Sequence, residues 1–264
     1  MEFSIALYSL HRAIAAGLDI CQIPKLAATK AGITMLDPTY PMMPINDSVR
    51  RKAFIEAVKD AGCTVRTVMV GKEGDLATAD AAARKQAVEN HRKWFDIAKE
   101  FGAIAFRANT GGPSENHTPD DVKRSAESFV QLAAWGKQAG VSVMIENHGG
   151  ISGDPDAVVQ IIKASGNLVR TAPDFGNFKP AIRYEGLAKL MPYAIAVHAK
   201  LFEFDAAGQE TRFDLPRCMQ IVKDAGWTGP LSIEFEGPVG EPGNVADEWE
   251  GVAKSKTLLA RYGW

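Results

Sequence analysis

Short apolar runs alternate with longer amphipathic stretches along the whole chain. Eight runs have the length, the β-branched or aromatic content and the Gly, Pro or Asp boundaries of buried strands. They lie at Phe3–Ser9, Ile33–Leu36, Thr64–Val70, Ile104–Ala108, Ser142–Ile145, Leu168–Ala172, Ile195–His198 and Leu231–Phe235. Between them the apolar positions recur with a helical period. Asp80–Phe101 is the clearest case, with Val88, Trp94, Phe95, Ile97 and Ala98 on one face and Arg84, Lys85, Arg92 and Lys93 on the rest. Asp120–Gln138 follows the capped, acidic start Thr118-Pro119-Asp120-Asp121. Five helical stretches are predicted to end at a Gly, namely Gly32, Gly62, Gly102, Gly140 and Gly226, each followed by a strand. A glycine there supplies the left-handed residue that closes a helix.

Eight strand–helix units in 264 residues give about 33 residues per unit, close to the ~250 residues of an eight-fold β/α barrel. The pattern therefore predicts α/β class and a single (β/α)8 TIM-barrel domain over residues 1–264. A doubly wound dinucleotide-binding sheet is the competitor. It would carry a Gly-rich phosphate turn after the first strand, where this chain has Tyr8-Ser9-Leu10-His11. No Pro- or Ser-rich linker interrupts the alternation.

Composition narrows the class further. With 46% hydrophobic and 23% charged residues the chain is of ordinary globular type. The 30 Lys and Arg against 32 Asp and Glu leave no basic excess for a nucleic-acid backbone. Cys21, Cys63 and Cys218 form no close pair, so they read as buried thiols rather than a disulfide or thiolate-metal set. No apolar run reaches the ~20 residues of a membrane span. The N-terminus lacks a basic segment followed by an apolar one. A cytoplasmic protein is the expectation, with no membrane and no nucleic-acid partner; a homo-oligomer is left open.

In such a barrel the chemistry lies at the C-terminal ends of the strands. The last four strands end in Glu146, Asp174, His198 and Glu234, at intervals of 28, 24 and 36 residues, each about one unit. Four adjacent strands thus present three carboxylates and an imidazole at one level. Uncompensated, those carboxylates would repel and resist ionisation. One divalent cation resolves the conflict, and an oxygen-rich set favours Mn²⁺ or Mg²⁺, with Co²⁺, Fe²⁺ or Zn²⁺ also accommodated.

The stretches Glu146-Asn147-His148-Gly149-Gly150, Pro173-Asp174-Phe175-Gly176-Asn177-Phe178, Val197-His198-Ala199-Lys200 and Ser232-Ile233-Glu234-Phe235-Glu236-Gly237 resemble the sugar phosphate isomerase/epimerase family, within the xylose-isomerase-like TIM-barrel superfamily. The resemblance runs over essentially the whole chain. It implies a divalent metal on Glu146, Asp174, His198 and Glu234, with Glu146 and Glu234 also acting as an acid/base pair. It further implies sugar-binding roles for His148, Asn177 and Lys200. The chain departs from the ketose 3-epimerases of that family at Asn177, where they carry a substrate-binding His, and at Phe204, where they carry an Arg. Asp37 ends the second strand where many relatives have Glu.

The chemistry such a set supports is proton transfer at the carbon next to a carbonyl through a metal-stabilised enediolate. Return of the proton to the opposite face epimerises a sugar or keto-sugar. Return to the neighbouring carbon isomerises it. Loss of a β-leaving group would instead make a dehydratase or lyase acting on a keto-sugar, keto-polyol or oxidised glycoside. A non-catalytic sugar-binding barrel would not need all four ligands. A DNA-repair endonuclease would need a basic groove and more than five histidines. Among secondary candidates, His11 ends the first strand, while Arg107 and Asn109 follow the fourth; His11 and Arg107 are taken as substrate contacts. His148 shares the Glu146 face if that strand continues. Glu236 competes with Glu234 by the same spacing. His91 and His117 read as surface residues. Gly111-Gly112 and Gly149-Gly150 form glycine-rich rim turns that leave open whether the sugar is phosphorylated.

Overall fold

The computed structural model describes residues 2–237 and 245–264. Its strands are β1 (Phe3–Ala6), β2 (Met35–Asp37), β3 (Thr39–Tyr40), β4 (Thr64–Val65), β5 (Thr67–Val70), β6 (Ala105–Arg107), β7 (Ser142–Glu146), β8 (Arg170–Ala172), β9 (His198–Leu201) and β10 (Leu231–Phe235). The helices are α1 (His11–Ala15), α2 (Ile23–Leu26), α3 (Ser48–Asp60), α4 (Ala81–Asn90), α5 (Lys93–Phe101), α6 (Pro119–Ala139), α7 (Pro155–Ala164), α8 (Arg183–Leu190), α9 (Leu215–Asp224) and α10 (Val245–Ala260). The chain forms two compact units, Met1–Arg66 with Val197–Trp264, and Thr67–Ala196.

In the first unit the strands lie in the order β4-β2-β1-β10-β9, every neighbouring pair parallel. In the second, β5, β6, β7 and β8 follow one another as parallel neighbours. Parallel strands joined through helices read as apolar runs, because both faces are covered. Met69, Ala105, Met144, Ala172 and Ala196 form one apolar cluster in the second unit. Thr118 and Asp121 cap α6 reciprocally, as the sequence predicts. The five glycines expected to end helices all have positive φ, between 60° and 72°. A side chain at those positions would strain the backbone.

Five expectations need correction. The strand expected over Phe3–Ser9 ends at Ala6, and Leu7–Leu10 form a single 3₁₀ turn. Ser9 is tied to β10 through its side chain instead: its hydroxyl donates to the Ile233 carbonyl (3.2 Å) and accepts from the Phe235 N–H (2.8 Å). Thr64–Val70 is broken at Arg66, because β4 pairs with β2 whereas β5 pairs with β6. The seventh strand begins at His198 rather than ending there, and its register against β10 runs from Ser232↔His198 to Phe235↔Leu201. Cys63 and Cys218 are buried thiols, but Cys21 is only half-buried.

The fifth correction concerns Asp80–Phe101, which is two helices, not one. His91 is buried, and its ring Nδ1 lies 2.7 Å from the Ala87 carbonyl. That carbonyl is the acceptor its own N–H would use in a continuing helix. The N–H turns to Val88 instead (3.1 Å), and the helix breaks before α5. Burial pushes the His91 imidazole below its ordinary range; the Ala87 bond and the Glu73 carboxylate oppose this, and Lys93 adds to it. As pH falls, the unfolded chain therefore takes up this proton first. The contribution of neutral His91 is complete above about pH 6.5 and declines below it until the folded imidazole also titrates. Urea midpoints of the parent are expected to fall between pH 7 and pH 5 more steeply than those of His91→Leu. Parallel curves would remove His91 from the acid sensitivity of the fold.

Candidate active site

Each half of the site is built on neighbouring strands. In the second unit Glu146 is the last residue of β7 and Arg107 the last of β6, and both are buried. Arg107 Nη1 donates to Glu146 Oε2 at 2.6 Å. Arg107 thus serves as a buried counter-cation that also fixes the carboxylate, because removing one partner of such a pair would strand the other.

Asp174 lies two residues beyond β8 and is fully buried. Its Oδ1 accepts the N–H groups of Gly176 and Asn177, both at 2.8 Å. The buried Asn147 side chain grips the same residue by its backbone. Asn147 Oδ1 accepts the Asp174 N–H (2.7 Å), and Nδ2 donates to the Asp174 carbonyl (3.0 Å). This two-point contact continues the β7–β8 pairing beyond the strands, where the backbone alone has stopped. Asn177, half-buried, uses its backbone on Asp174.

In the first unit His198 and Lys200 alternate along β9 and face Glu234 on β10. His198 Nδ1 lies 3.1 Å from Glu234 Oε2, and Lys200 Nζ lies 2.9 Å from Oε1. All three are buried. Glu236, just past the strand, is 3.6 Å from Lys200 and half-buried.

His11 opens α1 rather than ending a strand. It stacks on Tyr8 with ring centroids 4.8 Å apart and stands 3.4 Å from the buried Glu248. Glu248 also accepts the N–H groups of Arg12 and Ala13 (2.8 and 2.9 Å), so its carboxylate sits at the start of α1. The β7 strand stops at Glu146, so His148 does not share its face. His148 is exposed in the following turn, its N–H on Ser152 Oγ (2.9 Å). His117 is half-buried and pairs with Asp154 at 3.2 Å.

Sequence reasoning did not single out Tyr8 or Asn147. Burial pushes the Tyr8 phenol above its ordinary value. Glu236 and Glu234 add to this, and Lys200 and Arg12 oppose it. Tyr8 therefore stays a neutral phenol near neutral pH. The i, i+3 spacing of Tyr8 and His11 was its only signal. Asn147 had a better one: it is a polar residue immediately after an apolar strand and between two candidate site residues.

Glu146 and Asp174 in the second unit and His198 and Glu234 in the first are all buried, and this set of three carboxylates and one imidazole could hold a metal ion. Among the described residues, no helix is long and apolar enough to cross a membrane.

A family model described as xylose isomerase-like TIM barrel matches residues 13–255. The chain is similar in structure to the IOLI protein with a bound zinc atom, at 13% identity and TM-score 0.78 over 99% of each chain. It is likewise similar to the 3-keto-D-glucoside 4-epimerase YcjR from E. coli, at 14% identity and TM-score 0.71 over 91% of this chain and 95% of that one. These likenesses bear out the expected barrel fold. In sequence, 72 residues are 33% identical to the C-glycoside deglycosidase alpha subunit of Arthrobacter globiformis, covering 27% of this chain. That match spans 20%, or a fifth, of the relative's length.

Proposed function

The chain belongs to the xylose isomerase-like TIM barrel family, and from that premise we propose that it is a metal-dependent isomerase or epimerase of a sugar or keto-sugar, acting as one barrel domain over residues 1–264. The observation that carries this reading is that Glu146, Asp174, His198 and Glu234, all buried, make a set that could hold a metal ion. The donor set favours Mn²⁺ or Mg²⁺. When bound, the cation supplies Lewis-acid stabilisation of negative charge developing on substrate oxygens.

The remaining work falls to the side chains. One of Glu146 and Glu234 takes the proton from the carbon beside the carbonyl, and the other returns a proton. Arg107 holds Glu146, and Lys200 with His198 holds Glu234, so each carboxylate meets the substrate already oriented. Asn147 and the Gly176 and Asn177 amides fix Asp174. His11, His148, Asn177 and Lys200 are the candidate contacts to sugar hydroxyls.

A second reading, a lyase acting on an oxidised glycoside, is favoured by the stretch similar to the C-glycoside deglycosidase alpha subunit. Mass analysis separates the two. Incubation of the Mn²⁺-loaded protein with keto-sugars and oxidised glycosides is expected to yield a product of unchanged mass. Loss of water or of an aglycone would favour the lyase. No conversion of any keto-sugar would count against both.

A further inference from the structure

We infer that the proposed sugar site takes an uncharged sugar and that Asp75 excludes the phosphorylated one, an inference that rests on the sugar reading above. Two glycine-rich turns follow the strands that carry Arg107 and Glu146. Gly111 and Gly112 have φ of 70° and 71°, and Gly149 and Gly150 have φ of 79° and 58°. Successive residues in such conformations can turn their N–H groups into a concave cradle for phosphate. In this chain the cradle is filled from within.

Asp75 Oδ1 accepts the Gly112 N–H at 2.9 Å and the Ala77 N–H at 2.8 Å. It packs so closely on Gly111 that a Cβ there would overlap it. In the second turn, Gly150 N–H donates to Ser114 Oγ (2.8 Å), Ile151 N–H to the Gly111 carbonyl (3.0 Å) and Ser152 N–H to Thr110 Oγ1 (3.0 Å). The amides of Gly112, Gly150, Ile151 and Ser152 thus already have acceptors. The neighbouring cations are engaged too: Lys179 pairs with Glu115, and Arg124 with Asp121. Asp75 is itself exposed, so an anion arriving at this rim meets a carboxylate in the place where a phosphate site would offer free donors.

The test titrates the metal-free full chain with inorganic phosphate, followed by ³¹P line broadening, in the parent, Asp75→Ser and Asp75→Asn. The parent is expected to show no saturable binding at millimolar phosphate. Asp75→Ser removes the charge and shortens the side chain by one bond, which withdraws its acceptor from the Gly112 amide. It should tighten phosphate by about 10–100-fold, the worth of charge-assisted hydrogen bonds. Asp75→Asn keeps an acceptor oxygen but loses the charge; it should gain less, and it decides the matter if Asp75→Ser does not fold.

Saturable binding in the parent, or no gain in either folded variant, would overturn the inference. In a second arm, solvent deuterium exchange is compared between a keto-sugar and its phosphate ester. Exchange into the ester as fast as into the free sugar would also overturn it. Absence of exchange from both sugars would count against the sugar reading alone, and the phosphate titration would still decide the role of Asp75.

Discussion

Asp174→Ala and His198→Ala are each expected to lose most of the divalent metal that the parent retains. Both residues are buried, and each belongs to the candidate ligand set Glu146, Asp174, His198 and Glu234. Removing either leaves a buried set with fewer donors, and in His198→Ala three crowded carboxylates with no imidazole. Losing a supporting residue outside the ligand set typically costs 10–100-fold in affinity, so losing a ligand is expected to cost at least about 100-fold. Asn147→Ala, which removes the grip on the Asp174 backbone, should fall within that smaller range. Elemental analysis after Mn²⁺ loading and desalting should find about one equivalent in the parent, as one four-ligand cluster implies, and little in the two ligand variants. Circular dichroism separates lost metal from lost fold. Parent-like metal content in both would mean that the ligands are misassigned.

Glu146→Gln and Glu234→Gln should each lower the rate by about 10²–10⁴, the usual cost of removing a general base or acid. Glutamine keeps an oxygen for the metal and for the donors that hold these positions, Arg107 Nη1 at Glu146 and Lys200 Nζ at Glu234. It cannot accept a proton. Much of the metal should therefore remain while turnover is lost, and metal content distinguishes these variants from Asp174→Ala. The double variant should cost far less than the product of the two single losses, because the pair acts as one unit. Steady-state kinetics with the substrate found by product analysis provides the measurement. A double variant that turns over at the parent rate would move proton transfer elsewhere, with Lys200 and His148 the first residues to examine.

The candidate ligand set was legible because a barrel repeats. One apolar strand per unit, each closed by a polar residue, marks Glu146, Asp174 and Glu234 without any knowledge of packing. The helix ends were legible for a local reason, since Gly102 and Gly140 carry their backbone conformation in their identity.

What failed was long-range. Lys200 is a charged residue inside a strand, so the sequence places the end of β9 at His198; its contacts with Glu234 and Glu236 make a buried lysine tolerable there. His91 read as a surface residue on a polar helix face, whereas burial and the Ala87 carbonyl make it the break between α4 and α5. Asp75 could not be identified at all, because its partners lie on its own turn and on another 37 residues away.

The most direct test of the account is solvent exchange in D₂O, followed by NMR, with the Mn²⁺-loaded parent and a keto-sugar substrate. Deuterium is expected to enter at the carbon beside the carbonyl, in product or recovered substrate; chelation should abolish this and added Mn²⁺ restore it. Conversion of the substrate with no deuterium at that carbon, or exchange indifferent to chelation, would contradict it.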